Sequence, residues 1–196
     1  MLENNGEKIY ETFFSDEMGI RLSDAQQKKT WGLSYKKIKT EKLLQDCKRN
    51  CWGWGAVSYN GATSLHIFKE NLDDSLYQDI LSEHKLEMEE LYPEGSEFQQ
   101  DNSSVHTASK SWIEKNGLGQ FYFPDYSPDL SVIENVWSSL KHAVRCDNPR
   151  SEVTLRKSLQ KNWELLTTPE NLRPYFESMH SRYVECIEKK MVLDYQ

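Results

Sequence analysis

No apolar run in this sequence approaches the roughly 20 residues that a membrane-spanning helix needs, so no bilayer-embedded protein is expected. The opening residues Met1 to Lys8 are polar and lack the apolar stretch of a secretory signal, which points to an intracellular protein. Cysteine is scarce, with Cys47, Cys51, Cys146 and Cys186 the four in the chain. The single C-x3-C pair has no second pair nearby, a poor zinc pattern, and reduced thiols are expected. Positive charge is in the minority, 24 Lys and Arg against 31 Asp and Glu for a net charge of −7. That balance argues against a uniformly basic nucleic-acid coat. It leaves room for an enzyme whose metal ions neutralise a carboxylate cluster and whose basic residues are local. There is no internal repeat and no low-complexity tract.

What is present suits one α/β domain. A chain of 196 residues, 37% hydrophobic with six Trp, seven Phe and ten Tyr, can build a sizeable core. Residues Lys8 to Asp16 form a β-branched and aromatic run that reads as a strand delivering Asp16 at its C-terminal end. Met18-Gly19 reads as a tight turn, with Ile20 to Ser23 as a returning strand. Residues 24–50 are Lys-rich with interleaved aromatics. They fit either a solvated loop or a contact surface for a phosphate backbone or partner subunit. Cys51 to Tyr59 and Thr63 to Phe68 flank Asn60-Gly61 and read as a hairpin, and the glycines Gly53 and Gly55 suggest close backbone approach in its first strand.

Asp73 to Tyr92 reads as an amphipathic helix with Asp73-Asp74 at its start. Glu97 to Asn102 reads as a short strand ending on an acid, Thr107 to Asn116 as a helix stopped by Gly117, and Phe121 to Phe123 as another strand. Ser127-Pro128-Asp129 is a turn signal. After it Ile133, Val136, Trp137, Leu140 and Val144 make one helical stripe, with Glu134 at its border. Two further helices are expected past Asn148-Pro149. Strands first and then strand–helix alternation imply a mixed sheet with helices on its faces.

Three acids stand out: Asp16, Asp101 and Glu134. If the first and fourth strands are adjacent and parallel, both aspartates emerge at one sheet edge, and the helix carrying Glu134 can pack across it. Three converging carboxylates repel one another unless cations sit between them, and Mg²⁺ or Mn²⁺ suits such oxygen ligands. A pair of these ions activates water and stabilises a leaving oxygen in phosphodiester chemistry. A structural alternative stands beside this one. Ser131-Val-Ile-Glu134 is also a capping-box pattern, and Asp16-Glu17 and Asp101-Asn102 also fit exposed turns. His106 fits either a donor to a carboxylate or a satisfied histidine at a helix start. His66, His84, His142 and His180 show no pattern that assigns them a role.

Several blocks, in order along nearly the whole chain, resemble the catalytic domain of mariner-type DDE transposases. They are Phe14-Ser-Asp-Glu17, Trp54 to Gly61, Phe98 to Asn102 with His106-Thr107, Ser127 to Leu130, Ile133 to Trp137, and Glu177 to Ile187. The resemblance implies a ribonuclease H-like mixed five-stranded sheet flanked by helices, over 1–196 as a single catalytic domain with a helical extension at 150–196. It implies that Asp16, Asp101 and Glu134 are catalytic and hold two Mg²⁺ or Mn²⁺ ions.

The implied function is metal-dependent phosphodiester hydrolysis and strand transfer in cut-and-paste DNA transposition. Transposon ends and target DNA would be partners, a homodimer the active form, and the nucleus of a eukaryotic host (otherwise the cytoplasm) the place of action. Ser131-Val132 departs from the Asn-Pro usual in the motif. Relatives also carry helix-turn-helix DNA-binding domains before the first aspartate, where this sequence has fifteen residues. The alternative is an inactive or repurposed domain that binds DNA or protein.

Overall fold

A computed structural model of the chain describes residues 8–25, 50–121 and 131–193. Its central strand is shifted along the chain from the Lys8 to Asp16 expected, because Ile9–Glu11 forms a 3-10 turn ahead of it. The aromatic run does not stop at Asp16 but continues as β1 (Thr12–Arg21), 10 residues long. Met18-Gly19 is not a turn, because Met18 and Ile20 are buried while Gly19 and Arg21 are exposed, and the two-residue alternation carries straight past the acid. Gly19 serves the pairing itself: a Cβ there would come within 2.9 Å of the ring of Trp52, its cross-strand partner. The expected returning strand is also replaced. Ile20 and Arg21 close β1, and Leu22–Ala25 forms the short helix α1.

β2 (Asn50–Ser58) runs antiparallel to β1, from Phe14 opposite Val57 to Arg21 opposite Asn50. The hairpin forms with Tyr59 and Asn60 as the turn and Gly61 already in β3 (Gly61–Ala62), where its φ of 150° favours glycine. β4 (His66–Phe68) then pairs with the other half of β2, Trp54 opposite His66. Next comes α2 (Asp74–Leu91), capped by Asp73, whose Oδ1 accepts the Leu76 N–H at 2.8 Å.

β5 (Glu97–Gln99) lies parallel to β1, the pairing on which the shared edge of the two aspartates depends, but ends two residues before Asp101. α3 (Ser104–Lys115) stops at Gly117, whose φ is 78°. The strand expected at Phe121–Phe123 is found earlier, as β6 (Gly119–Gln120), parallel to β5. Residues 122 and 123, the turn at 126–130 and most of the Lys-rich stretch lie outside the described residues. The sheet order is β3-β2-β1-β5-β6, five strands on one path, with β4 a sixth that pairs β2 off it.

Three more helices follow: α4 (Val132–Asp147), α5 (Glu152–Leu166) and α6 (Pro169–Leu193). The sheet separates two cores. On one face Phe14, Met18, Ile20 and Val57 pack with Ile133, Trp137, Leu159, Trp163, Phe176 and Met179. On the other face Phe13, Trp54 and Ala56 pack with Tyr77, Ile80, Leu81 and Ile113. The last two helices therefore share a core with the sheet. No helix among the described residues is long and apolar enough to cross a membrane.

Gly55, paired with Asp16 across the β1–β2 ladder, is where α4 and α5 come closest to the sheet. A Cβ there would lie 2.6 Å from Trp163 and 3.3 Å from Trp137, whose rings sit 5.0 Å apart. Trp163 is pinned by donating its Nε1–H to the Thr63 carbonyl at 2.8 Å, so it cannot easily yield. Gly55→Ala is expected to lower the unfolding free energy by about 1–3 kcal/mol, the usual range for overpacking a filled core. Chemical denaturation of the two proteins checks this.

Candidate active site

Strand alternation splits Asp16 from its neighbour Glu17. Asp16 shares a face with Phe14 and Met18, toward α4, while Glu17 shares a face with Phe13, toward α2 and α3. On its side Asp16 meets the indole of Trp137, whose Nε1–H donates to Oδ2 at 3.2 Å. Trp137 appeared in the sequence only as part of an apolar stripe, yet it carries the one polar group of that stripe and points it at the acid.

Asp101 lies just beyond β5. Phe14 pairs with Gln99, so two residues on, Asp101 is level with Asp16 where the shorter strand has ended. Asp16 thus lies within a long strand, and Asp101 follows the end of a short one. Asp101 Oδ1 accepts the Ser103 N–H at 2.9 Å and binds His106 Nδ1 at 2.5 Å. The other ring nitrogen of His106 reaches Glu17 Oε1 at 3.2 Å. His106 is therefore a carboxylate partner. It is buried on α3 between two acids from different elements, a link that local sequence could not reveal.

Glu134 sits exposed on the first turn of α4. The capping box suggested by Ser131 and Glu134 is not formed: the Ser131 side chain makes no capping bond, and its carbonyl accepts from Asn135 Nδ2 at 3.3 Å. A capping box forms instead at the next helix, between Ser151 and Thr154. The charge of Glu134 is felt at Asp16, as are those of Glu17 and Asp101.

The electrostatics follow from this layout. Burial pushes Asp16 up to about 7; the Glu17 backbone N–H opposes the rise, while the charges of Glu17, Glu134 and Asp101 add to it. Asp101 is held down at about 2, chiefly by its hydrogen bond from His106. Burial would lower His106, but its bonds to Asp101 and Glu17 outweigh that and raise it to about 9. The acid set is not drawn together into a tight knot. Among the described residues one group alone has its ligand atoms within 4.8 Å of one another, and it lies elsewhere. Asp16, buried and pushed up further by the charges of its neighbours, is a carboxylate that a hard divalent cation would neutralise, and the all-oxygen donor chemistry of Asp16, Asp101 and Glu134 fits such an ion.

A mixed sheet with helices on both faces and acids gathered beside its central strand defines a ribonuclease H-like fold. The family model described as DDE superfamily endonuclease matches residues 11–156, and the chain belongs to that family. It is similar to the Tc3 transposase of Caenorhabditis elegans, at 24% identity over 198 residues covering 94% of this chain and 57% of that protein. The chain thus spans little more than half of that curated relative. Its fold matches the catalytic domain of Mos1 mariner transposase with a TM-score of 0.72 at 17% identity, over 95% of this chain and 85% of the other. It also matches a Mos1 mariner paired-end complex with Mn, with a TM-score of 0.76 at 18% identity, over 96% of this chain and 58% of that one.

Two outcomes follow for the metal-free protein. Because Asp16 is raised in the folded state, its stabilising contribution is complete below its ordinary value of 3.8 and is lost as pH rises through about 7. Asp16→Asn should then be more stable than wild type by roughly 1–3 kcal/mol at pH 8 in chelator, a gap that closes toward pH 4. Denaturant titrations at the two pH values decide it. The contribution of His106 has its own window, complete below 6.5 and lost as pH climbs through about 9. His106→Ala should cost about 2 kcal/mol at pH 7, the scale of a lost charge-assisted hydrogen bond, and markedly less above pH 9.

Proposed function

We propose that this chain is the metal-dependent catalytic core of a cut-and-paste DNA transposase, with Asp16, Asp101 and Glu134 as its ligand set. The observation that carries the proposal is the state of Asp16, held near 7 by burial beside three other acids. A purely structural acid has little use for such surroundings. Divalent cations, Mg²⁺ or Mn²⁺ and two in number, would supply an activated water and a stabilised leaving oxygen at the scissile phosphodiester.

The chain's own residues do the positioning. Trp137 holds Oδ2 of Asp16 by an N–H donor. His106 and the Ser103 N–H fix Asp101 through a single oxygen, Oδ1, so that Oδ2 remains to be offered to a ligand. Glu134, exposed on the first turn of α4, raises Asp16 by its charge and would be the third ligand. The nucleophile would be water for cleavage and then a DNA 3′-hydroxyl for strand transfer, with no covalent protein–DNA intermediate. Transposon ends and target DNA are the proposed substrates, and a pair of chains the productive form. The family, the relatives and the paired-end complex noted above support this proposal.

The test is nicking of supercoiled DNA by the purified chain in Mg²⁺ or Mn²⁺. Asp16→Asn, Asp101→Ala and Glu134→Gln should each reduce the rate by at least 100-fold, a scale in line with losing a group that stabilises transition-state charge. Nicking by Asp101→Ala at the wild-type rate, or none by a correctly folded wild type, would remove the catalytic assignment for this chain.

A further inference from the structure

We propose that His66, Glu83 and His84 form a second metal centre, separate from the carboxylate site, which takes a borderline divalent transition-metal ion such as Zn²⁺. His66 lies on β4, while Glu83 and His84 are consecutive on α2. One ring nitrogen from each histidine and one oxygen of Glu83 all lie within 4.8 Å of one another, and this is the group that outdoes the catalytic acids in closeness. His66 Nδ1 already contacts Glu83 Oε2 at 3.1 Å, and the two imidazoles meet edge to face with centroids 5.5 Å apart.

The second observation concerns His84, which is 2% exposed. Its Nδ1 lies 3.3 Å from Ser64 Oγ and 3.4 Å from Glu87 Oε2. Its Nε2 is fully buried and has no hydrogen-bonding partner. Glu87 is itself anchored, accepting the Ser64 N–H at 2.6 Å and the Ser64 hydroxyl at 2.7 Å. A carboxylate that holds one imidazole nitrogen as an N–H leaves the other as a bare lone pair. This is the outer arrangement that orients histidine toward a metal. A buried lone pair with no donor is otherwise a standing cost.

Two imidazoles and one carboxylate favour Zn²⁺ and its neighbours over Mg²⁺, which prefers oxygen and keeps its waters. Zinc bonds of about 2.0–2.1 Å place neighbouring ligand atoms near 3.4 Å in a tetrahedron, so the three groups need only draw in by about an ångström. Water would complete the set. Such an ion would tie β4, which pairs with β2 off the main path of the sheet, to the middle of α2.

Equilibrium dialysis of the chain against Zn²⁺, and titration with Co²⁺ followed by visible absorption, test this without reference to catalysis. Glu83 is exposed, so Glu83→Gln should fold normally, and His66→Gln provides a second variant. Wild type and Asp101→Ala should each retain one equivalent of Zn²⁺. Both ligand variants should bind at least tenfold more weakly, and the Co²⁺ spectrum should show d–d bands without a thiolate charge-transfer band. Failure of wild type to retain Zn²⁺, unchanged binding by both variants, or a thiolate band assigning the ion to cysteine would each overturn the proposal.

Discussion

A carboxylate on the central strand of a sheet is costly to ionise, and the fold around Asp16 is organised by that cost. At Asp16 strand β1 is paired with β2 and covered by Trp137, and burial is the largest influence on this acid. One indole N–H relieves one oxygen. To bring that indole close, the strand opposite must carry no side chain, and Gly55 supplies the gap in which Trp137 and Trp163 stack. The glycine, the two tryptophans and the acid thus form one unit drawn from β1, β2, α4 and α5.

The two faces of the sheet contribute differently to the acids. On the α4 side the partner of Asp16 is neutral, so the acid stays near the balance between its two protonation states. On the α3 side a charged histidine sits between Asp101 and Glu17 and keeps Asp101 ionised. Two aspartates level with each other across one strand pair therefore differ by about five units, from about 7 to about 2. The difference arises chiefly from the burial of Asp16 on one side and the hydrogen bond from His106 to Asp101 on the other. Acids set apart in this way are common at sites of chemistry.

Much of this was legible in the residues, and the gaps have physical causes. The helices at Asp74–Leu91 and Val132–Asp147 follow from 3.6-residue periodicity, and a mixed sheet with helices on its faces follows from element order. The end of β1 was misplaced because Met18-Gly19 looks like a turn in isolation. It is extended because Trp52 across the ladder fills the space above the glycine. Ser131 and Glu134 carry the letters of a capping box but do not form one, whereas Ser151 and Thr154, with weaker letters, do. Local pattern states which bonds are available, and tertiary surroundings choose among them. The carboxylate role of His106 was one of two readings open in the sequence, but its bond to Glu17, 89 residues away, was not legible there, and neither was the meeting of His66 on β4 with His84 on α2.

The bond from Trp163 to the Thr63 carbonyl joins residues 100 apart, and that from Trp137 to Asp16 joins residues 121 apart. During synthesis the first two acids emerge long before the groups that wall them in. Until those groups dock, Asp16 lacks the burial that raises it in the folded chain. Only when α4 and α5 have left the ribosome and docked does that acid enter the sheltered setting in which its charge becomes costly. The setting of Asp16 is thus completed by a residue 121 positions later, and a chain interrupted before Trp137 would carry Asp16 and Asp101 without it.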